Sequence, residues 1–229
     1  MVKNSGFGGV AVRPLRGPRQ TRAMSDDGWP SGFFDRQEPG DDADFYSFPR
    51  FVTHIDDGAV AAVSELYDEL GVPDGRVLDL MSSWVSHLPR KPTGGLVALG
   101  MNTLELQGNP MADQVVVRDL NVDPRLPFDD ASFDSVVCCV SIDYLVRPIE
   151  VLREAARVLR PGGQVVLTFS NRCFPTKAVR GWLATDEDGR VAIVRTYLER
   201  AGFGGVRTEL RTERRRGRDP LHAAWARSV

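Results

Sequence analysis

Apolar residues are arranged along this chain in two patterns, a helical repeat and short runs. Between residues 57 and 70 they return every three or four positions, which predicts an amphipathic helix capped by Asp56 or Asp57. The same spacing predicts helices at Ile149–Leu159 and at about Arg190–Arg200. Short apolar runs typical of buried strands alternate with helix-like or turn-rich connections: Arg76–Leu80, Leu96–Leu99, Val115–Arg118, Ser135–Val140 and Gln164–Phe169.

Buried strands that alternate with helices predict parallel β-α units and hence an α/β fold. Two further alternating segments, Val206–Leu210 and Ala223–Arg227, flank the basic stretch Arg211–Arg218. This spacing predicts an antiparallel hairpin that closes the sheet, with the basic stretch as its solvated tip. Pro161-Gly162-Gly163 is expected to end the preceding helix.

The first 44 residues show no apolar periodicity. Residues 1–23 carry several basic residues and no acid, and residues 25–44 are polar and acidic, so we expect a disordered or extended segment at 1–44. The folded domain is predicted at 45–229, with an N-terminal arm and the first helix at 45–70. Residues 1–23 have three interpretations: an organelle transit peptide, a nucleic-acid arm or, favoured by composition, sequence upstream of a true start at Met24.

Charge and composition disfavour several classes of protein. A net charge of −2 over 229 residues is too small to hold a polyphosphate, so nucleic acid is not an expected partner. No run approaches the roughly 18 apolar residues of a membrane span, and no signal-peptide pattern is present, so we expect a cytoplasmic protein. Cys138, Cys139 and Cys173 lack ligand spacing, so no metal site or disulfide framework is predicted.

Small or polar residues follow each predicted strand. An open parallel sheet binds its ligand beyond the carboxyl ends of its strands, where strand order reverses. These positions are therefore the candidate binding site: Asp79–Ser83, Gly100–Asn102, Asp119–Asn121, Ser141–Tyr144 and Ser170–Arg172.

Several short motifs occur in a characteristic order: Val77-Leu78-Asp79-Leu80, Leu126-Pro127-Phe128, Ser132-Phe133-Asp134, Arg157-Val158-Leu159-Arg160-Pro161-Gly162-Gly163 and Ala201-Gly202-Phe203. Over residues 57–229 the chain thereby resembles class I S-adenosylmethionine-dependent methyltransferases, in particular the type 11, ubiquinone-biosynthesis-like enzymes. The resemblance implies a Rossmann-like, doubly wound, seven-stranded sheet that is mostly parallel with a reversed C-terminal hairpin. It also implies S-adenosyl-L-methionine as cofactor and a small molecule as substrate.

The first motif departs from this family. Relatives carry Asp-Leu-Gly-x-Gly-x-Gly, whereas this chain has no glycine in the stretch from Asp79 to Val85, and glycine permits close backbone approach and positive φ. In one interpretation Ser82 and Ser83 cap a following helix and bind the cofactor's carboxylate, while Asp79 faces its amino group. In the other, the site has decayed. We favour the first because polar residues occupy the positions where contacts are needed.

The resemblance assigns further cofactor contacts. Asn102, which stands near the usual position of an acid, is expected at the ribose with help from Glu105, or else is a simple turn residue. Asp119 is expected at the adenine, the alternative being an Asx turn. The complete predicted cofactor site comprises Asp79, Met81, Ser82, Ser83, Gly100, Asn102, Asp119, Leu120, Asn121 and Ser141.

The predicted acceptor side lies after the fourth strand and in the arm. Asp143 and Tyr144 are expected to position or deprotonate an acceptor hydroxyl, or else to cap or pack locally. His54 lies in the aromatic and basic stretch 46–54, where relatives build a lid over the substrate; a plain covering arm is the alternative. His87 is a further candidate base, for which we favour a surface or capping position at the end of a short helix.

The predicted function is methyl transfer to a small molecule by in-line displacement in a desolvated pocket. The candidate catalytic residues are Asp143, Tyr144 and His54. The alternative is a non-catalytic methyltransferase-like binding protein with lost or altered cofactor binding. A nicotinamide dehydrogenase is disfavoured because the first strand is not followed by GxGxxG.

Overall fold

The computed structural model describes residues 28–228. The chain divides into a segment at Met1–Ser31 and a compact unit at Gly32–Val229. The interpretations of residues 1–23 and of Met24 lie outside the described residues.

Strands and helices alternate in the compact unit as the apolar pattern predicted. The strands are β1 (Val77–Leu80), β2 (Leu96–Gly100), β3 (Gln114–Val117), β4 (Phe133–Cys139), β5 (Leu159–Ser170), β6 (Gly204–Thr212) and β7 (Leu221–Arg227). The helices are α1 (Asp42–Phe45), α2 (Asp57–Glu69), α3 (Thr103–Gln107), α4 (Pro148–Val158), α5 (Arg180–Leu183) and α6 (Glu187–Ala201).

The strands form one sheet in the order β3-β2-β1-β4-β5-β7-β6. β1 pairs in parallel with β2 on one side and β4 on the other, so strand order reverses between β1 and β4. β7 pairs antiparallel with β5 and β6, which is the reversed C-terminal hairpin. The predicted fold class, a mostly parallel seven-stranded α/β sheet, is confirmed.

The core explains why most residues of the central strands are apolar. Every residue of β1 and β2 is buried. Val63 and Tyr67 of α2 belong to one core cluster with Val137 of β4 and Val166 of β5. Since neighbouring strand residues point to opposite faces, the equally buried Val136 lies on the other face. Burial on both faces is typical of parallel sheets, and it fixes the carboxyl ends of the central strands.

The predicted role of Pro161-Gly162-Gly163 as the end of a helix is wrong. α4 ends at Val158, and Pro161-Gly162-Gly163 lies inside β5 instead of after a helix. Phe133 of β4 pairs with Leu159, but Ser135 pairs with Gln164, so the residues between them on β5 form a bulge. Gly162 adopts φ +78° there, a conformation that glycine tolerates.

A buried ionic cluster holds the segment at 32–44, which the composition predicted to be loose. Asp42 is 5% exposed and accepts hydrogen bonds from Arg36 at 2.7 and 2.8 Å and from Asn121 at 2.9 Å. Lys177, 1% exposed, lies 3.1 Å away. Burial raises the pKa of Asp42, but these hydrogen bonds outweigh it and lower the pKa overall. The compact unit therefore begins ahead of residue 45.

No helix among residues 28–228 is long and apolar enough to cross a membrane. The same part of the chain holds no group of three or more His, Cys, Asp or Glu side chains arranged to bind a metal. The cysteines are free thiols, with Cys138 buried and Cys139 and Cys173 partly exposed.

The ionic cluster predicts unequal effects of removing its charges. Asp42→Asn leaves two buried cations without a counter-charge, so we expect it to lower the free energy of unfolding by about 3–5 kcal/mol. Lys177→Met leaves Asp42 paired with Arg36 and should cost less than about 2 kcal/mol. Urea unfolding measures both values.

The control is Glu213→Gln, which removes the partner of Arg215 from a pair whose side chains are about two-thirds exposed. We expect it to cost less than about 1 kcal/mol. If Asp42→Asn unfolds at the same urea concentration as this control, the cluster does not hold the segment.

Candidate functional site

A cavity of about 370 Å³ lies at the carboxyl ends of the central strands. Its volume is in the range of small-molecule sites. It occurs where strand order reverses between β1 and β4, the place at which an open parallel sheet leaves a crevice. Loops after β1 to β5 line one side, and residues 42–54, here called the arm, contribute Asp42, Tyr46, Val52, Thr53 and His54.

The cavity brings together nearly all of the predicted site residues. The predicted cofactor-binding residues line it without exception: Asp79, Met81, Ser82, Ser83, Gly100, Asn102, Asp119, Leu120, Asn121 and Ser141. Of the predicted catalytic residues, His54 and Tyr144 line it as well.

Asp143 does not line the cavity. It is 2% exposed, and its carbonyl oxygen accepts a hydrogen bond from the amide of Val179. Burial raises the pKa of its carboxyl group to about 7. Its position therefore corresponds to the packing alternative, beneath the segment that presents Tyr144.

The loop after β1 keeps a glycine-like backbone without glycine. Met81 adopts φ +54°, in the left-handed region that glycine favours. No helix follows, so the prediction that Ser82 and Ser83 cap one is wrong. Instead, the Ser82 hydroxyl donates to Asp79 Oδ2 at 2.6 Å and the Ser82 amide donates to the Leu99 carbonyl at 2.8 Å. These bonds close the turn and tie it to β2.

The rest of this loop is anchored by one buried side chain. Asn109 Nδ2 donates to the Ser83 carbonyl at 3.1 Å and to the Ser86 hydroxyl at 2.7 Å. Ser86 and Leu88 are buried on either side of His87, which lines the cavity. The predicted surface position of His87, at the end of a short helix, is therefore wrong.

Backbone strain concentrates around the cavity. Four non-glycine residues of the described chain have positive φ, and three of them line the cavity: Met81, His87 and Val140. Val140, at φ +44°, is β-branched, and such residues rarely adopt this conformation. Strained residues of this kind cluster at binding and catalytic sites.

Near the carboxyl end of β1, Asp79 places a buried carboxylate in the wall of the cavity. It is 3% exposed, and burial raises its pKa to about 6, although hydrogen bonds from Ser82 and Ser86 lower it. A cationic ligand group beside this carboxylate would favour its charged form. The electrostatics of this position therefore suit a positively charged group.

At the end of β2, the chain leaves no room for a side chain. A Cβ on Gly100 would lie 2.2 Å from the Ser82 carbonyl oxygen. Asn102 caps α3 by accepting from the amides of Leu104 and Glu105, and its Nδ2 donates to the arm carbonyls of Tyr46 at 2.9 Å and Ser47 at 3.3 Å. All four hydrogen-bonding positions of the Asn102 amide are thus used.

After β3, the side chains organise the loops. Asp119 Oδ1 accepts from the Asn121 amide at 2.7 Å and from the Val122 amide at 3.3 Å, which is the Asx turn of the alternative prediction. Asn121 Nδ2 donates to the Tyr144 carbonyl at 3.0 Å and its Oδ1 accepts from the Val146 amide. Asn121 therefore joins the loops after β3 and β4.

Aromatic and imidazole rings line the arm side of the cavity. The Tyr144 hydroxyl accepts from the Phe174 amide at 2.9 Å, and the His54 ring lies edge-on to Phe174 at 5.3 Å. Burial and Arg50 lower the pKa of His54, and burial and His54 lower the pKa of His87. Both imidazoles are therefore neutral near pH 7 and able to accept a proton.

Known proteins match this chain in sequence over a third of its length or less, and in structure over most of it. A family model described as "Methyltransferase domain" matches residues 98–167. The ubiquinone/menaquinone biosynthesis C-methyltransferase UbiE of Geobacter sulfurreducens is 38% identical over 77 residues, 33% of this chain and 29% of that protein. The cyclase SpnF matches with a TM-score of 0.58 and 16% identity over 81% of this chain and 91% of SpnF. The trans-methyltransferase CalH, solved with S-adenosylhomocysteine, matches with a TM-score of 0.55 and 18% identity. That match covers 75% of this chain and 58% of CalH.

These similarities confirm the resemblance to class I S-adenosylmethionine-dependent methyltransferases. The chain matches less than a third of the length of UbiE, and the distant structures show the fold alone. SpnF, a cyclase, illustrates that this fold is not confined to methyl transfer. The family match begins at Ala98, after the loop that departs from the family motif.

The close approach at Gly100 predicts a steric effect. In Gly100→Ala the new Cβ meets a backbone carbonyl, which cannot rotate away, so we expect the free energy of unfolding to fall by about 1–3 kcal/mol. Gly204→Ala is the control, because nothing lies within 4 Å of its Cβ position; it should change stability by less than about 0.5 kcal/mol. Equal urea midpoints for the two variants would contradict the packing described.

The buried Asp79 predicts a stability gain on neutralisation. Its pKa is raised from 3.8 to about 6 on folding, so the wild type loses stability as pH rises from about 4 to 6, and the full loss persists above pH 6. Asp79→Asn should therefore be more stable than the wild type by roughly 3 kcal/mol at pH 8 and by about half as much at pH 5. Urea unfolding at both pH values measures this. A loss of stability at pH 8 would contradict it.

Proposed function

We propose that this protein binds S-adenosylmethionine at the carboxyl ends of β1 to β4 and transfers its methyl group to a small-molecule acceptor held beneath the arm. Asp79 is the observation that carries the proposal. It is a buried carboxylate in the cavity wall at the end of β1, beside the left-handed turn at Met81. The ammonium group of the cofactor is the cation that this carboxylate would accept.

The other cavity residues fit the remaining parts of the cofactor. Ser83 offers a hydroxyl and a backbone amide for its carboxylate. Gly100, without a side chain, lets the backbone approach closely, while Asp119 and the buried Leu120 offer a polar and an apolar contact for the adenine. Met81 and Ser141 line the wall near the reacting group. Asn102 contributes indirectly, because its side chain holds the arm.

When bound, the cofactor supplies an electrophilic methyl group attached to a sulfonium centre. The protein then needs to place the acceptor in line with that group and to exclude water. The arm supplies a cover, tied down where the Trp84 indole donates to the Val52 carbonyl at 3.1 Å. We assign closure of the acceptor site to this segment.

Three side chains are proposed to handle the acceptor. The Tyr144 hydroxyl accepts from the Phe174 amide, so its own proton is available to a group in the cavity. His54, or His87 in its place, takes the proton of an acceptor hydroxyl as a neutral imidazole. Asp143, packed outside the cavity, is proposed to support the Tyr144 segment without touching the acceptor.

Calorimetric titration of the full chain tests the proposal. We expect micromolar binding of S-adenosylmethionine and S-adenosylhomocysteine, weakened about 10- to 100-fold in Asp79→Asn because a charge-assisted hydrogen bond is lost. Binding should also weaken about tenfold per pH unit below pH 6, because Asp79 must first lose its proton. Glu65→Gln, on the exposed side of α2, is the control and should bind like the wild type.

Asp79→Asn is expected to be folded and more stable than the wild type. A loss of affinity in this variant would therefore not result from unfolding. If folded wild-type protein binds neither ligand, the proposal fails and the non-catalytic alternative is favoured. If both ligands bind but Asp79→Asn and wild type have equal affinities, the assignment of Asp79 is wrong.

A further inference from the structure

Large apolar side chains are exposed where the arm meets α3. Phe48, Phe51 and Val52 of the arm are 78%, 54% and 54% exposed, and Leu104 of α3 is 59% exposed. These four residues are here called the apolar patch. Soluble monomers rarely expose apolar side chains side by side, and such patches mark surfaces that bind a protein or a membrane.

Phe51 joins the arm to α3 within this patch. Its Cε1 lies 3.0 Å from the position of a Cβ on Gly108, the C-cap of α3, so the ring rests on the end of that helix. Leu104 stands four residues earlier, on the same side of the helix. The Trp84 ring meets Phe51 edge-on at 6.2 Å, and its indole donates to the Val52 carbonyl.

Hydrogen bonds hold the arm in this position. Asn102 Nδ2 donates to the carbonyls of Tyr46 and Ser47. The Arg50 amide donates to Glu105 Oε1 at 2.6 Å. Turning the patch inwards would break these partly buried bonds, which is costly. The exposure of the patch is therefore part of the folded structure.

The loop between β6 and β7 supplies exposed positive charge. Four of its residues are exposed arginines, here called the basic tip: Arg214, Arg215, Arg216 and Arg218. Arg214 lies 3.6 Å from Glu187, and Arg215 lies 2.7 Å from Glu213, the only acid between residues 213 and 218. Both ion pairs are open to solvent and therefore weak. The tip keeps an excess of positive charge.

The basic tip and the apolar patch lie at the same edge of the sheet. Leu221, the first residue of β7, pairs with Ser170, the last residue of β5, so the tip is at the carboxyl end of β5. Asp219, next to the tip, accepts from the Asp56 amide at 3.2 Å. Val52 precedes Asp56 by four residues, which is at most roughly 14 Å of chain. The tip and the patch are therefore close neighbours.

Charge and apolar exposure together indicate what this edge binds. The arm holds no acid between residues 45 and 55, and the loop after β1 holds none between residues 80 and 89. An anionic lipid membrane presents phosphate groups above acyl chains, so it accepts arginines and apolar side chains from one face of a protein. The phosphates of a nucleic acid would pair with the tip but would leave Val52 and Leu104 in water.

We propose that the carboxyl edge of the sheet docks on an anionic lipid membrane, with the basic tip at the headgroups and the apolar patch inserted among them. Val52 and Arg172 line the cavity, and Arg172 lies 3.4 Å from Asp219 beside the tip. Docking therefore brings the cavity to the bilayer surface. This inference goes beyond the proposed function and does not depend on it, because it concerns an outer surface and not the ligand of the cavity.

Co-sedimentation of the full chain with vesicles tests the docking. One vesicle is phosphatidylcholine alone, and the other also contains about 30% phosphatidylglycerol. We expect at least about tenfold stronger binding to the anionic vesicle. Arg216→Gln/Arg218→Gln leaves both ion pairs of the tip intact and should weaken that binding about 10- to 30-fold, because each arginine near an anionic surface contributes about fivefold.

The matched control is Arg153→Gln/Arg207→Gln, which removes the same charge from exposed positions on α4 and β6 and should bind like the wild type. Phe48→Ser tests the apolar patch. Its side chain is 78% exposed, so the variant should fold normally and bind the anionic vesicle about tenfold more weakly.

Fluorescence quenching by brominated acyl chains tests insertion directly. Trp84 lies 6.2 Å from Phe51, so the anionic brominated vesicle should quench the wild type and leave Trp84→Phe nearly unquenched. Equal quenching of the two proteins means that another face is inserted and overturns the inference.

Three other results would also overturn it. One is that folded wild-type protein does not sediment with the anionic vesicle. Another is that either Phe48→Ser or Arg216→Gln/Arg218→Gln binds this vesicle as tightly as the matched control. The third is that a DNA duplex binds more tightly than the vesicle and displaces it, which assigns the tip to nucleic acid. The calorimetric test of S-adenosylmethionine binding uses no vesicles, so its outcome is independent of these.

Discussion

The candidate site depends on one close contact between backbones. The loop after β1 crosses the end of β2 so closely that the Ser82 amide bonds to Leu99 and the Ser82 carbonyl fills the space over Gly100. This contact accompanies the left-handed turn at Met81 and the hydrogen bond between Ser82 and Asp79. It also leaves no space for a side chain on Gly100, the last residue of β2. The shape of the cavity follows from it.

Polar side chains carry most of the long-range connections around this contact. Asn109 fixes the loop after β1, Asn102 holds the arm at α3, and Asn121 joins two strand-end loops to Asp42. Such bonds contribute little net free energy when made but are costly to break once buried. A network of this kind specifies one arrangement of the loops, and it explains how a cavity built from irregular segments is held in shape.

The sheet was predictable because its determinants are local. Apolar runs and the helical period of α2 placed the elements within a few residues, and polar residues at strand ends identified the cavity wall. The errors concern features set by distant partners. His87 lines the cavity because Asn109 anchors its neighbour Ser86, and the segment around Asp42 is ordered by Asn121 and Lys177. These partners are distant in sequence, so the composition around His87 and Asp42 does not reveal them. The glycine-free first motif suggested a changed turn, yet Met81 adopts the conformation that glycine favours.

The central claim is that the cavity holds S-adenosylmethionine with its amino group at Asp79. The most direct measurement is a crystal structure of the full chain grown with S-adenosylhomocysteine. The account predicts the ligand's amino group within hydrogen-bonding distance of Asp79. A ligand bound elsewhere on the protein, or a cavity that stays empty at saturating ligand, would contradict it.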